Sequence, residues 1–251
     1  MFKCVFKALF LFSVLPFFQL NSYADVMNLN EFMPTRMEDA TVTDLHKWEI
    51  QASGRFNPDE KEIHLRPNLR WSAIKRLQFE ASSDYYQSTK IQQEKNSGST
   101  HLGFQWNFND QDDWVPSLAI SPQVTFPTGK RSDGIDPSIK LIMTHTLIGT
   151  ITEPIGQFNM NYLWQENNQT KSGEAKIANL LLFGYIHKIS HKTSLQADFN
   201  HDYDALIKKS KNEMEIGVLY QLYESWLVGI GTGYDIKNGY FSSTLAIQKS
   251  F

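Results

Sequence analysis

From residue 48 to the end of the chain, apolar and polar side chains alternate. In the last stretch, residues 240–251, Phe241, Leu245 and Ile247 alternate with small or polar neighbours such as Ser242 and Thr244. A period of two places the two sets on opposite faces of a β-strand, so the pattern predicts strands whose faces meet different surroundings.

Turn signals interrupt the alternation and divide residues 45–251 into twelve predicted strands. An even number of strands is expected of a single-chain bacterial barrel, so the layout favours an all-β, antiparallel, up-and-down transmembrane β-barrel. Pro116 and Pro122 lack backbone donors and predict an edge or a bulge in strand 5. The predicted strands are 48–56, 63–71, 77–85, 101–108, 114–126, 135–147, 155–165, 177–187, 194–203, 213–222, 226–236 and 240–251.

The lengths of the connections support this topology. The connections after strands 2, 4, 6, 8 and 10 are mostly short, as periplasmic turns are, and the opposite set is generally longer. Residues 204–211 are one of the predicted long loops. Asn238-Gly239 is an exception, a type I′ hairpin signal that predicts a tight turn on the long-loop side.

Composition and tryptophan placement separate a membrane barrel from a soluble one. The polar side of each strand is rich in Ser, Thr, Gln, Asn and Gly, which suits a wet interior, and twelve strands enclose too wide a space for an apolar core. Tryptophans gather at predicted strand ends, where their rings form girdles at the membrane interfaces. The expected girdle is Trp48, Trp71, Trp106, Trp114 and Trp226 at one end and Trp164 near the other.

The N-terminus has the features of a cleaved signal peptide. Lys3 and Lys7 precede an apolar run over residues 8–18, and Ser22 and Ala24 are small residues at the positions that signal peptidase recognises. We therefore expect a signal peptide at 1–24, export to the bacterial outer membrane, and a barrel at 45–251. Residues 25–44, acidic and without a period, are interpreted as a periplasmic extension, either ordered against the barrel mouth or loose.

Charge and cysteine content exclude several classes of function. The chain has 24 basic and 27 acidic residues, and the leader holds two of the lysines, so the remainder carries a net charge of −5. This balance argues against a nucleic-acid partner. Cys4, in the leader, is the single cysteine, so disulfides and thiol catalysis are excluded after cleavage.

No residue pattern favours an enzyme. Ser99 and His101, two residues apart on one strand face, are the one serine–histidine pair with suitable spacing, and they are predicted to face the lumen. Metal-ligand spacing is absent from the sequence, and we expect neither a metal nor another cofactor.

Charged residues fall on the predicted lumen side of several strands. They either set the selectivity of a pore or pair across the strands and stiffen the wall. The second reading is favoured, since opposite charges often face each other across strands. These lumen-lining candidates are Arg55, Arg66, Arg70, Glu80, Asp84, Lys140, Asp198, Asp202, Glu213 and Glu215.

Two resemblances follow from short motifs. The terminal strand ending on Phe251 resembles the signal that the barrel-assembly machinery reads in bacterial outer-membrane barrels. Residues 121–134, SPQVTFPTGKRSDG, resemble a hairpin of the MetA-pathway of phenol degradation family, a group of outer-membrane barrels described as transporters. This second resemblance implies passage of small aromatic or hydrophobic compounds and supplies no catalytic residues.

Three functions remain open at this point. The first is a channel or transporter for small molecules in contact with outer-membrane lipids. The second is a structural or interaction barrel whose lumen is closed by wall charges and residues 25–44. The third, less favoured, is a lipid-modifying enzyme that depends on Ser99 and His101.

Overall fold

A computed structural model describes residues 25–27, 29, 31, 33–59, 61–88, 98–128, 134–167, 176–204 and 209–251. The signal peptide expected at 1–24 lies outside the described residues. Within these ranges the chain forms strands and turns, and it has no helix long and apolar enough to cross a membrane.

Twelve antiparallel strands form one closed barrel, in which each strand is bonded to its neighbours in sequence and the first strand is bonded to the last. The strand count and the up-and-down order predicted from the sequence are confirmed. The strands are β1 Trp48–Asn57, β2 Glu62–Ile74, β3 Leu77–Ser88, β4 Gly98–Asn109, β5 Ser117–Phe126, β6 Asp136–Gly149, β7 Pro154–Asn167, β8 Lys176–Ser190, β9 Thr193–Asp204, β10 Lys209–Tyr223, β11 Trp226–Asp235 and β12 Tyr240–Ser250.

The barrel closes between β1 and β12. Their register runs from the Glu49–Ser250 pair to the Phe56–Ser243 pair without a shift. Beyond β12, the Phe251 N–H donates to the Trp48 carbonyl over 2.8 Å. The C-terminal residue therefore takes part in closure, and no strand is left with an open edge.

The two faces of each strand are sorted as a membrane barrel requires. Along β12, Leu245 and Ile247 point outward and are exposed, whereas Thr244, Ala246 and Gln248 point inward and are buried. The same sorting recurs along the other strands, where large aliphatic and aromatic side chains cover the outside. A barrel that folds in water buries its apolar side chains inside, so this inverted sorting identifies a barrel that spans a membrane.

The start of β5 differs from the predicted boundary. β5 begins at Ser117 instead of residue 114, because Pro116 has no N–H to pair and Trp114 lies in an exposed bend before the strand. Pro122 stays inside β5, but the pairs with β4 stop at Gln123 and resume at Ile120. The missing donor thus falls where that ladder is interrupted.

Two connections on the long-loop side also differ from their predicted lengths, one being shorter and the other longer. β9 ends at Asp204 and β10 begins at Lys209, so only 205–208 separate the two strands. The predicted loop was longer because backbone pairing continues beyond the residues that alternate between apolar and polar. The β11–β12 connection spans 236–239 rather than a two-residue type I′ turn. Only Gly239 has a positive φ, 71°, and the Asp235 side chain accepts bonds from the Lys237 and Asn238 N–H groups.

If the outer face of the barrel contacts lipid, a charge placed on it should lower the free energy of unfolding by an amount that depends on its depth in the bilayer. Ile216 lies at the middle of β10 and is 58% exposed, and Leu222 lies near its end and is 47% exposed. We expect Ile216→Arg to cost about 2–4 kcal/mol of unfolding free energy, and the matched Leu222→Arg about 0–1 kcal/mol, because the cost depends on depth in the bilayer. Denaturant unfolding in lipid vesicles measures both. Equal, near-zero costs contradict the lipid-facing assignment.

A candidate functional site inside the barrel

The described residues of 25–44, called here the plug segment, lie mostly inside the barrel. Most of its described apolar residues are buried, among them Val26, Leu29, Met33 and Met37, each 1% exposed. The sequence left open whether this periplasmic extension lies against the barrel mouth, stays loose or closes the lumen, and most of its described residues lie in the lumen. The reason is that the barrel wall supplies both apolar and charged partners to a segment that shows no period of its own.

Hydrogen bonds trace the path of the plug segment through the lumen. The Thr43 N–H donates to Gln78 Oε1 over 2.9 Å, close to the short turn between β2 and β3. Farther in, the Arg36 guanidinium reaches Glu213 Oε2 at 2.7 Å, toward the long-loop end of β10. The segment then returns, since Ser194 Oγ, near the short turn before β9, donates to the Val26 carbonyl over 2.7 Å. Both ends of the plug segment therefore lie at the short-turn end.

One side of the plug segment packs on an apolar strip of the wall. The strip consists of inward-facing side chains on β8, β10, β11 and β12. These positions interrupt a mainly polar lumen face, and the apolar inward side of β8 is visible in the sequence. The cluster joins Leu182, Ile186, Leu219, Leu227 and Ala246 of the wall to Val26, Met27, Leu29, Met33 and Met37 of the plug segment. A smaller cluster joins Ala119 and Ile142 to Ala40 of the plug segment.

Glycines on the wall make room for the plug segment at two points. A methyl group at Gly217 would overlap the Pro34 ring, and one at Gly231 would lie 2.9 Å from the Pro34 carbonyl oxygen. On β8, a methyl group at Gly184 would overlap Met37 Sδ. Glycine is therefore required here for close approach of the segment.

The opposite side of the lumen carries a basic site, formed by Arg66, Arg70 and Lys140. Lys140 Nζ lies 2.8 Å from Glu31 Oε2 and 2.7 Å from Glu38 Oε2, two carboxylates of the plug segment. Arg70 Nη2 also bonds Glu38, over 2.8 Å. All three predicted lumen residues therefore face inward, and they converge on the plug segment.

Facing the basic site, β9 and β10 carry an acidic wall, with Asp198, Asp202, Glu213 and Glu215. Glu213 pairs with Arg36 of the plug segment and with Arg55 of β1. Arg55 Nη1 also lies 2.6 Å from Glu215 Oε1. Asp198 is 5% exposed and accepts a bond from Asn200 over 3.1 Å. Asp202 is half-buried on the same wall.

The remaining lumen candidates pair along the wall. Asn68 Nδ2 donates to Glu80 Oε1 over 2.8 Å, and Arg70 lies 3.9 Å from the same oxygen. Asp84 lies between two histidines, 2.9 Å from His64 Nε2 and 2.7 Å from His101 Nε2.

The serine–histidine pair considered for catalysis is not assembled. His101 Nδ1 lies 2.8 Å from Thr125 Oγ1, and Nε2 is engaged by Asp84. With both ring nitrogens occupied, His101 has no free nitrogen to act as a base toward Ser99. Across the described part of the chain, no group of three or more metal-ligating side chains comes together.

The tryptophans lie at the barrel ends, where the sequence places them. Trp48 and Trp71 stack at 5.1 Å between ring centroids, and Trp106 and Trp114 are exposed near the same end. Trp226 lies at the start of β11, 5.1 Å below the Lys249 ammonium, which is also 4.5 Å from the Phe251 ring. Trp164, near the end of β7, lies toward the long-loop end.

Two carboxyl groups of the plug segment have displaced pKa values. Burial raises the pKa of Glu31, but attraction to Lys140 and Arg66 outweighs burial and lowers it to about 2. Glu31 is therefore ionised at neutral pH. Burial raises the pKa of Asp39 to about 7, against bonds from the Leu29 N–H and Thr41. The docked plug segment therefore holds the Asp39 proton more tightly than the undocked segment does. The contribution of Asp39 to the free energy of docking weakens as the pH rises toward about 7.

The chain resembles several solved structures in fold but matches no known protein family in sequence. No family model matches the chain, and no curated protein matches it in sequence. The NanC porin aligns with TM-score 0.62 and 10% identity over 80% of this chain and 98% of that one. The KdgM porin in complex with disordered oligogalacturonate aligns with TM-score 0.61 and 8% identity over 81% and 99%. An outer-membrane channel from Pseudomonas putida F1 aligns with TM-score 0.60 and 12% identity over 85% and 98%. The protein thus shares the barrel fold of these outer-membrane porins and channels.

Overpacking beneath Pro34 tests the docking of the plug segment. We expect Gly217→Val to weaken docking by about 1–3 kcal/mol, because the added side chain overlaps the proline ring, while valine suits the strand itself. Trypsin cleavage after Arg36 in refolded protein should then accelerate about 5- to 150-fold. The control is Gly54→Val, whose added Cβ meets the outward Leu65 side chain at 3.1 Å. Unchanged cleavage in Gly217→Val contradicts the docked position.

Proposed function

We propose that the protein is a bacterial outer-membrane channel for small molecules, and that the plug segment gates it. The observation that carries the proposal is that the barrel closes without the plug segment. All twelve strands pair on both sides, and no described residue of 25–44 contributes to the sheet. The segment can therefore leave the lumen without opening the wall.

Polar lining and charge pairing favour a removable occupant. The plug segment is held on two sides by ion pairs to the wall, through Glu31 and Glu38 on one side and Arg36 on the other. Water that enters the lumen can solvate these groups, unlike the apolar atoms of a sealed core. The similar solved structures are described as porins and a channel, which supports the same class of function.

Location and partners form part of the proposal. The exposed apolar exterior suits outer-membrane lipids, and Phe251, which pairs with Trp48, is the proposed contact for the barrel-assembly machinery. The MetA-pathway resemblance of residues 121–134 favours small aromatic or hydrophobic solutes. We propose no lipid-modifying role for Ser99 and His101, because the His101 ring bonds Asp84 and Thr125 and not Ser99.

A barrel with a permanently closed lumen is the second candidate. The apolar cluster between the plug segment and the β8–β12 wall favours it, since moving five buried plug side chains into water is costly. Under this candidate, a planar bilayer that contains the intact protein stays silent, and conductance appears only after residues 25–44 are removed. The channel proposal expects the intact protein itself to conduct while the plug segment is displaced.

A disulfide can lock the plug segment without changing its charges. A Cβ built on Gly184 lies 3.0 Å from Met37 Cγ, and a disulfide sets about 3 Å between one Cβ and the opposite sulfur. We expect the Met37→Cys/Gly184→Cys variant, recorded in planar bilayers, to be closed when oxidised and to regain wild-type conductance on reduction.

The absence of cysteine after the leader makes this lock specific. Met37→Cys alone is the control, and its conductance should not respond to the reductant. Equal conductance of the oxidised and reduced double variant would show that solutes do not need the plug segment to move.

A further inference from the structure

The ammonium of Lys140 has an unusual set of partners. Its side chain is 6% exposed, and both carboxylates in ion-pair distance, Glu31 and Glu38, belong to the plug segment. No wall carboxylate within the described residues forms an ion pair with it. The charge of Lys140 is therefore neutralised only while the plug segment is docked.

The two arginines of the basic site complete a receptor for carboxylates. Arg70 Nη2 bonds Glu38 over 2.8 Å, and Arg66 Nη1 lies 3.5 Å from Glu31. Each arginine also has a partner on the wall. Arg70 lies 3.9 Å from Glu80, and Arg66 lies 3.5 Å from Asp84. Guanidinium groups with fixed geometry bind carboxylates specifically, whereas a lysine acts as a point charge. The site thus holds two carboxylates around one ammonium.

When the plug segment leaves, this site loses its ligands. Water can then hydrate the ammonium of Lys140, but a carboxylate that takes the place of Glu31 or Glu38 also gains charge-assisted hydrogen bonds to the arginines. The acidic wall behaves in the opposite way. When the plug segment leaves, the acidic wall loses the positive charge of Arg36 and keeps that of Arg55. Its carboxylates therefore attract a cation. The two walls therefore differ in what they bind once the lumen opens.

We propose that Arg66, Arg70 and Lys140 bind the carboxylate groups of the transported solute, and that Glu31 and Glu38 occupy this site in the closed channel. The inference rests on the proposed function and names its solute class, small organic anions with two carboxylates. Such a solute competes with the plug segment for one site, and its binding shifts the population toward the open state.

The test measures binding of glutarate to the refolded full chain by calorimetry, at low ionic strength to limit screening. In the Glu31→Gln/Glu38→Gln variant the site has lost its internal carboxylates, so glutarate should bind about tenfold or more tightly than in the wild type. Adding Lys140→Gln to this variant should weaken binding by about tenfold or more, and Lys140→Arg should restore it. The uncharged analogue glutaramide should not bind.

Matched controls separate this site from general loosening of the plug segment. Arg36→Gln weakens docking on the acidic wall and leaves the basic site unchanged, so its remaining glutarate binding should still depend on Lys140. Circular dichroism verifies that each variant keeps its β-structure. Glutarate binding that is insensitive to Lys140→Gln, or equal binding of glutaramide, overturns the inference.

Conductance distinguishes failure of the inference from failure of the proposed function. If glutarate binds through Lys140 but the protein never conducts, the channel proposal is wrong and the carboxylate-binding site stands. A protein that conducts but does not bind glutarate in the Glu31→Gln/Glu38→Gln variant keeps the channel and overturns the inference. In a conducting protein, glutarate should raise the open fraction of the wild type and not that of Lys140→Gln.

Discussion

Pairing of β1 with β12 is the constraint on which the rest of the structure depends. In a bilayer no water reaches the hydrocarbon region, so every backbone N–H and C=O there must find a partner in the protein. An open sheet leaves two edges unpaired, and the unbroken register from Glu49–Ser250 to Phe56–Ser243 removes both. Once the sheet is closed, each side chain faces either lipid or lumen. The period of two in the sequence is the consequence of this division.

Closure with twelve strands creates a second requirement, because the enclosed space is wider than wall side chains can fill. The lumen must then hold water or another part of the chain. Here the plug segment fills it, with methionines and a proline against the β8–β12 strip and charged groups against both walls. Small glycines at 184, 217 and 231 set how closely it approaches. The wall is therefore shaped for this segment as well as for closure.

The sequence predicts the wall far better than its contents. Strand number, facing and tryptophan positions follow from local alternation, which lipid and water impose directly. The plug segment has no alternation, and its partners lie far along the chain, as in the bond between Val26 and Ser194. One signal was present in the sequence. Leu182 and Ile186 occupy the lumen side of β8, where a water-filled pore needs polar groups. Apolar residues on a wet face indicate an internal partner, and the partner is the plug segment.

In the proposed channel, the two kinds of contact that hold the plug segment respond differently to opening. Its apolar anchors, such as Met33 and Met37, lose their burial whatever enters the lumen, so they favour the closed state by a fixed amount. The ion pairs do not, because Lys140 and Glu213 can exchange partners with water and ions at little net cost when the lumen is wet. A solute whose charge is opposite to that of a wall forms new ion pairs there, which offset the free energy lost when the plug segment leaves. Only the free energy of exposing the apolar side chains then opposes opening. In this proposal, the methionine cluster sets the balance between the closed and open states, and the charged walls set the sensitivity to a particular solute.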